Sequence, residues 1–414
     1  MVVIGCGLAG VTTAYFLRRS GAEVTVVDRA SGPARETSFA NGSLLTPSLA
    51  DPWNAPGIFT RLFKSFGSAD APMLMHAKQI PGMWRWGLRF LANSRHQKFE
   101  ESYLHNTRFA IFSQQTMAEM RAESALDFGY TDTGILKIFE EQSALDEAVK
   151  VAHWLKQVNI RHARLDVDQL METEPALQPI RDRLVGAVHY LDDEVGDARL
   201  YCEALRSLLS ENQVNFRFSE QVLDFELKPH GIRAVRTPSG RLAADAFVLA
   251  AGSFSRDLAR KLKLGIPLVP AKGYSITVPV SENVPRLPVV DDTLHAVVVP
   301  LGGKSLRVAG TAEFAGFDTT IRQERINNLI GLLGRVYPQV DIGGKGLEAW
   351  SGLRPMSPDG RPILGGCKLD NLFLNTGHGA LGWTLACASG RVVAEQTMGE
   401  ALSYDITPFQ LSRF

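Results

Sequence analysis

The stretch from Met1 to Asp28 constrains the chain more than any other. Val2-Val3-Ile4 is a short apolar run, followed by Gly5, Gly7 and Gly10 at G-x-G-x-x-G spacing. Val11–Ser20 reads as a helix, Gly21 as a break, and Glu23–Val27 as a second strand ending in Asp28. Each part has a mechanical reason: Gly5 permits a tight strand-to-helix turn, Gly7 lets a pyrophosphate approach the backbone, and Gly10 lets helix and strand pack closely. The helix start offers N–H groups and a positive dipole end to the phosphates. Asp28, 18 residues past Gly10, is placed to accept hydrogen bonds from a ribose diol. The glycines alone are weak evidence. Strand, helix, second strand and acid in one register make a dinucleotide site the reading, against a structural turn in some other α/β domain.

At 414 residues the chain is longer than one core usually reaches, so two domains are expected. Forty-four basic and forty-four acidic side chains cancel, leaving no global field for nucleic acid. Cys6, Cys202, Cys367 and Cys387 have no paired spacing, which points to free thiols in a reducing compartment rather than to disulfides or zinc. Met1 opens the first strand with no charged and apolar leader before it, and no apolar run approaches spanning length, so a cytoplasmic location is expected.

Past Arg29 and the turn at Gly32-Pro33, the polar stretch Glu36–Gly42 suits contacts to a cofactor's phosphates and ring edge, or is simply a loop. Residues 53–95 differ in composition. Trp53, Phe59, Phe63, Phe66, Trp84, Trp86 and Phe90 interleave with Arg61, Lys64, Lys78, Arg85, Arg89 and Arg95, and Asp70 is the only acid. Pro52, Pro56, Pro72 and Pro81 are expected to chop this stretch into short helical pieces. It reads either as a helical cap on a larger core or as an interfacial patch facing anionic lipid. Helices are expected at Ser102–Ser124, Gln142–Gln157, Arg199–Ser210, Gln323–Val336 and Thr384–Met398. Strands are expected at Gly134–Glu140, Val185–Tyr190, Val214–Phe218, Val222–Leu227, Ala246–Ala250 and Leu372–Asn375, with an antiparallel block at Tyr274–Val280, Ala296–Leu301 and Leu306–Gly310. Ala251-Gly252-Ser253 makes a second strand–glycine–helix junction. The acids Asp192-Asp193-Glu194 lack a histidine at ligand spacing, so no metal site is expected.

The closing segment bears on which dinucleotide is bound. In Gly377-His378-Gly379-Ala380-Leu381-Gly382-Trp383 the glycines allow close approach to a flat ligand, and the helix after them aims its N-terminus back at it. A reduced flavin carries negative charge that such a terminus stabilises, which favours FAD over NAD. Arg354, in Gly352-Leu353-Arg354-Pro355, is placed to pair bidentately with a substrate carboxylate, or is a solvated turn arginine. Tyr274 is a candidate for a phenolic hydrogen bond to substrate, and His378 for proton transfer. Packing and a backbone-bonded loop are their plainer readings.

Taken together, these residues resemble the FAD-dependent D-amino acid dehydrogenases, within the wider group of D-amino acid oxidases, glycine oxidases and sarcosine oxidases. The resemblance runs nearly end to end. It rests on Val3–Gly10, Glu36–Asn41, Pro52–Gly57, Lys272–Ser275, Gly352–Gly360 and Asn375–Thr384, of which the last two and the Pro-Trp stretch are specific. It implies an α/β, α+β two-domain architecture: a Rossmann-like FAD-binding domain from residues 1–48, 185–265 and 345–414, and a mostly antiparallel substrate domain with a helical cap from 49–184 and 266–344. It matches Asp28 to the ribose acid, Val222 to an adenine contact, Thr37, Ser38 and Gly377, His378, Gly379, Leu381, Gly382, Trp383 and Thr384 to flavin contacts, and Arg354 to the carboxylate-binding arginine. Arg29 and Gly252 are taken with the cofactor set. The reaction implied is hydride transfer from Cα of a D-amino acid to flavin N5, with imine hydrolysis to a 2-oxo acid and ammonia and electrons passed to a quinone or other carrier. An enzyme of a cyclic or N-substituted amino acid such as D-proline, an oxygen-using oxidase, and a non-catalytic flavin subunit are the alternatives. Peripheral contact with the inner face of the cell membrane is part of the same implication.

Overall fold

The computed structural model describes residues 1–58, 73–280, 285–291, 296–340 and 346–414. Phe59, Arg61, Phe63, Lys64, Phe66, Asp70 and Pro72 of the aromatic–basic stretch lie outside them.

Short runs of valine, isoleucine, leucine and phenylalanine build the first layer. Val2–Ile4 pairs in parallel with Thr25–Val27 on one side and Phe247–Leu249 on the other. Leu372–Thr376 and Asn215–Arg217 extend the sheet in parallel at its two ends, and Ile363–Gly366 closes one edge antiparallel. Strands buried on both faces read as continuous apolar runs, which is the pattern of VVI, FVL and LFL here. Three segments far apart in sequence therefore supply one sheet. The first helix, Leu8–Arg19, and the last, Ala386–Met398, cover one face, their buried residues joining Tyr201 and Leu205 in one core.

A nine-stranded sheet forms the second layer. Its order is Glu348–Met356, Val269–Pro279, Ser305–Phe314, Ala296–Leu301, Val289–Asp291, Ile135–Phe139, Gly186–Tyr190, His162–Leu165, with Met73–Met75 paired onto Ser305–Phe314. Helix Gln323–Val336 packs Ile326, Leu329 and Leu333 against one face, on Ile276, Val278 and Val308. Gly186–Tyr190 and Glu348–Met356 hydrogen-bond into this sheet, whereas the grouping by sequence put both with the dinucleotide-binding segments. An apolar strand carries no local mark of its partner; long-range register decides it.

The described part of the 53–95 stretch also departs from expectation. Besides the strand Met73–Met75 and the short 3-10 turn Ala77–Gln79, it forms one continuous helix, Ile80–Asn93, because Pro81 falls in the first turn, where its missing N–H costs nothing. Met83, Trp86 and Phe90 face inward; Trp86 stacks on Phe90 with centroids 4.9 Å apart, and its indole N–H donates to the Met356 carbonyl at 3.0 Å. The helix is thereby fixed two residues from Arg354. Among the described residues no helix is long and apolar enough to cross a membrane, and no acid, histidine and cysteine cluster could hold a metal. Asp193 instead accepts from the Ser48 N–H and hydroxyl, anchoring the segment that leads into the cavity.

Candidate active site

One cavity of about 740 Å³ runs between the two sheets. At its parallel-sheet end, Gly5, Gly7, Asp28, Arg29 and Val222 line it. Gly5 takes φ +108°, open to glycine alone, so that the chain can turn from strand into helix. Gly10 packs the helix onto that turn, since a Cβ there would stand 2.8 Å from the Gly5 carbonyl carbon and nearer still to its oxygen. The Asp28 carboxylate accepts from the Cys6 N–H at 2.6 Å and the Ala30 N–H at 2.8 Å. Burial pushes its pKa up, and these two N–H groups hold it back. A carboxylate has about four lone-pair positions, so two are left for a diol. Arg29 pairs with Glu36 and lies 3.6 Å from the ring centroid of Phe254.

Thr37 and Ser38 line the cavity, and the hydroxyl of each also bonds within the protein. Thr37 donates to the Leu353 carbonyl at 2.7 Å, and Ser38 accepts from the Leu8 N–H at 3.1 Å. They join the glycine turn, the 36–42 loop and the Glu348–Met356 strand. Of the closing segment, His378, Gly379, Leu381, Gly382, Trp383 and Thr384 border the cavity. Gly377 does not: its φ of +78° turns it under Ile363 and Leu268. Trp383 donates its indole N–H to the Gly196 carbonyl at 2.8 Å, and Thr384 accepts from the Thr46 N–H at 3.1 Å. The His378 ring bonds to the Ser389 hydroxyl at 3.0 Å; burial lowers its pKa to about 4, so it is neutral near pH 7.

The cavity fits an extended flavin dinucleotide on observations independent of motif. Gly252 exposes bare backbone to it, with nothing within 4 Å of a Cβ. Ser43 Oγ and Asn375 Oδ1, both buried and both from lining residues, have no hydrogen-bond partner among the described residues. Buried polar atoms left unpaired are rare, and a polar ligand satisfies them. Neither residue was singled out from sequence, because an unpaired atom is a property of the packing.

At the far end stands Arg354. On the Glu348–Met356 strand, Trp350, Gly352 and Arg354 alternate toward the cavity. Arg354 Nη1 donates to the Thr311 carbonyl at 3.2 Å, and the guanidinium carbon lies 5.4 Å from the Trp53 ring centroid. Among the described residues it has no acidic partner. Burial lowers its pKa to about 10, which leaves it charged at neutral pH. A guanidinium carries five N–H donors; here a cation with most of them free faces a cavity. Tyr274 is not its companion. Arg354 pairs with Ala271 and Tyr274 with Ser351, an odd number of steps apart, so the two side chains leave opposite faces of the sheet. The Tyr274 side chain is buried and donates to Glu313 Oε2 at 2.6 Å. The expected phenolic bond to substrate is thus corrected: that hydroxyl serves Glu313, which Lys272 Nζ at 3.2 Å, His76 Nε2 at 2.5 Å and Arg322 Nε at 3.3 Å also surround.

A dinucleotide cleft with a cationic pocket at its end, walled by a second sheet, is an arrangement suited to a flavin-binding α/β oxidoreductase. Known proteins agree. The family described as FAD dependent oxidoreductase matches residues 1–396. A D-amino acid dehydrogenase of Paramagnetospirillum magneticum is 37% identical over 419 residues, covering 100% of this chain and 98% of its own. One from Granulibacter bethesdensis is 36% identical over 417 residues, covering 100% and 99%. Glycine oxidase from Geobacillus kaustophilus has the same fold, with a TM-score of 0.76 at 20% identity, covering 100% of this chain and 98% of its own. The chain belongs to the FAD-dependent oxidoreductase family, and FAD is its cofactor.

Proposed function

We propose that this enzyme oxidatively deaminates D-amino acids to 2-oxo acids and ammonia, passing the electrons to a quinone or similar carrier. The observation that carries the reading is Arg354: a charged guanidinium without an acidic partner among the described residues, facing the cavity that the flavin shares. The names of the full-length relatives support it. Arg354 takes the substrate carboxylate in a charge-assisted pair and so fixes Cα relative to the closing-segment loop. Trp53 bounds the same pocket with an apolar face. His378, neutral and bonded to Ser389, adds no competing charge. Bound FAD supplies the two-electron oxidant, which is why the pocket needs orientation more than an acid or base. The test is a turnover assay with a dye acceptor over D- and L-alanine, D-proline and glycine. Pyruvate and ammonia from D-alanine in equal amounts are expected. Preference for D-proline would move the activity to cyclic substrates, and peroxide as the main reduced product would make the enzyme an oxidase.

The helix Ile80–Asn93 supports a partner as well. Ile80, Trp84 and Leu88 lie four residues apart on one face and are 41%, 55% and 61% exposed. Exposed Lys78, Arg85, Arg89 and Arg95 flank them, and no acid occurs from Met73 to Arg95. We propose that this face rests on an anionic membrane, on its cytoplasmic side, with Trp84 and Leu88 at headgroup depth. Burying one such side chain is worth roughly 1.5–3 kcal/mol, so Trp84→Ser/Leu88→Ser should weaken binding to phosphatidylglycerol vesicles at least about tenfold. Raising salt should weaken it further. Vesicle binding unaffected by both changes would place the contact elsewhere.

A further inference from the structure

Arg354 lies on a seat whose shape comes from two neighbouring strands. Gly273, on Val269–Pro279, pairs with Gly352 and stands beside Ala271, the partner of Arg354. A Cβ at position 273 would come within 2.6 Å of Arg354 Nη2, with Nη1 and Cζ closer still. The guanidinium therefore rests directly on the Gly273 backbone. Gly273 is not among the positive-φ glycines, so its backbone conformation is open to any residue. What the position excludes is a side chain, and what excludes it is Arg354.

The second wall is a β-bulge. Tyr274 pairs with Gly310 and Lys272 with Glu313, so Thr311 and Ala312 together stand opposite Gly273 alone. Thr311 takes φ +57°, a left-handed conformation in which a β-branched residue is strained. In this conformation its carbonyl receives Arg354 Nη1. The bulge is clamped where it ends, because Lys272 and Glu313, a register pair, are both fully buried and joined at 3.2 Å.

We propose that Gly273 is a positioning residue for substrate binding: with the Thr311 bulge it forms a seat that holds the Arg354 guanidinium flat and turns its remaining donors to the carboxylate. This rests on the reading of Arg354 as the carboxylate-binding group. No contact of Gly273 with substrate is required; its work is the space it leaves.

Gly273→Ala tests the seat. The atoms in the way are the free end of a flexible side chain, so the methyl group displaces the guanidinium rather than the strand. FAD content and melting temperature should stay as in the parent, while KM for D-alanine rises roughly 10- to 100-fold, the range that a misplacement near 1 Å produces, and kcat changes far less. Arg354→Ala and the double variant complete the cycle. The double variant should be no worse than Arg354→Ala, because the methyl group then meets nothing. A parent-like KM in Gly273→Ala beside a raised KM in Arg354→Ala would overturn the seat and leave the carboxylate reading standing. A parent-like KM in Arg354→Ala would overturn the reading beneath it. Loss of flavin or of the fold in Gly273→Ala, or full additivity in the double variant, would show that Gly273 serves the scaffold and would equally overturn the proposal.

Discussion

Arg354→Ala should raise KM for D-alanine at least about 25-fold while the purified protein keeps its flavin. The magnitude follows from the pocket. Removing one partner of a buried, hydrogen-bonded charge pair costs roughly 2–5 kcal/mol, and each 1.4 kcal/mol is about tenfold. The substrate carboxylate would enter a cavity end that keeps the apolar Trp53 face but has lost the Arg354 guanidinium. Flavin retention follows from the same geometry, because the hydrogen bond of Arg354 runs to Thr311 in the second sheet and not to the glycine turn or the closing loop. Arg354→Lys should recover only part of the loss, since an ammonium cannot pair bidentately and would sit differently over Gly273. Steady-state kinetics with flavin quantified by absorbance checks both variants. A KM for Arg354→Ala within about threefold of the parent, small beside a pair of this strength, would remove Arg354 from the substrate pocket.

The second large effect belongs to the opposite end of the cavity. Gly10→Ala should yield a protein that is strongly destabilised and purifies without bound flavin. A Cβ at Gly10 runs into the carbonyl of Gly5, and neither group can give way. Gly5 is already committed to its positive φ, and the helix Leu8–Arg19 is pinned by the closing helix packed on it. Overpacking of this kind costs typically about 1–3 kcal/mol and occasionally more, and backbone against backbone belongs at the upper end. Gly7→Ala separates packing from cofactor approach. Its methyl group would meet only Ser38 Oγ, at 3.1 Å, while lying on the cavity wall. The fold should survive there and FAD affinity should fall. Thermal melts of the flavin-free proteins with an FAD titration distinguish the two. Gly10→Ala with parent-like melting and flavin content would contradict the packing of the turn.

Much of the dinucleotide-binding layer was legible because its signals are local. The glycine turn with its following acid and the buried runs at Phe247–Leu249 and Leu372–Thr376 each carry their pattern within about one element's length, and so does the amphipathic helix Gln323–Val336 in the second layer. What could not be read depends on partners distant in sequence. Gly186–Tyr190 and Glu348–Met356 look like strands of either sheet until their register is known. The face that Tyr274 presents is likewise a matter of register, and a Lys-Gly-Tyr-Ser string says nothing of it. Arg354 came forward as a carboxylate-binding candidate only through the resemblance, its Gly-Leu-Arg-Pro context alone leaving a solvated turn arginine open. Its seat did not come forward at all, because Thr311 acts through its carbonyl in a bulge and Gly273 through an absent side chain. Pro81 shows the converse: four prolines suggested broken pieces, yet a proline in the first turn begins a helix as readily as it ends one.

The most direct test of the account is an anaerobic visible spectrum of the purified flavoprotein, titrated first with L-alanine and then with D-alanine. The oxidised flavin bands should persist with the L-enantiomer and bleach with the D-enantiomer, with one pyruvate and one ammonia released per flavin reduced. Bands that bleach equally with L-alanine, or that survive D-alanine and a wider panel of D-amino acids, would contradict it.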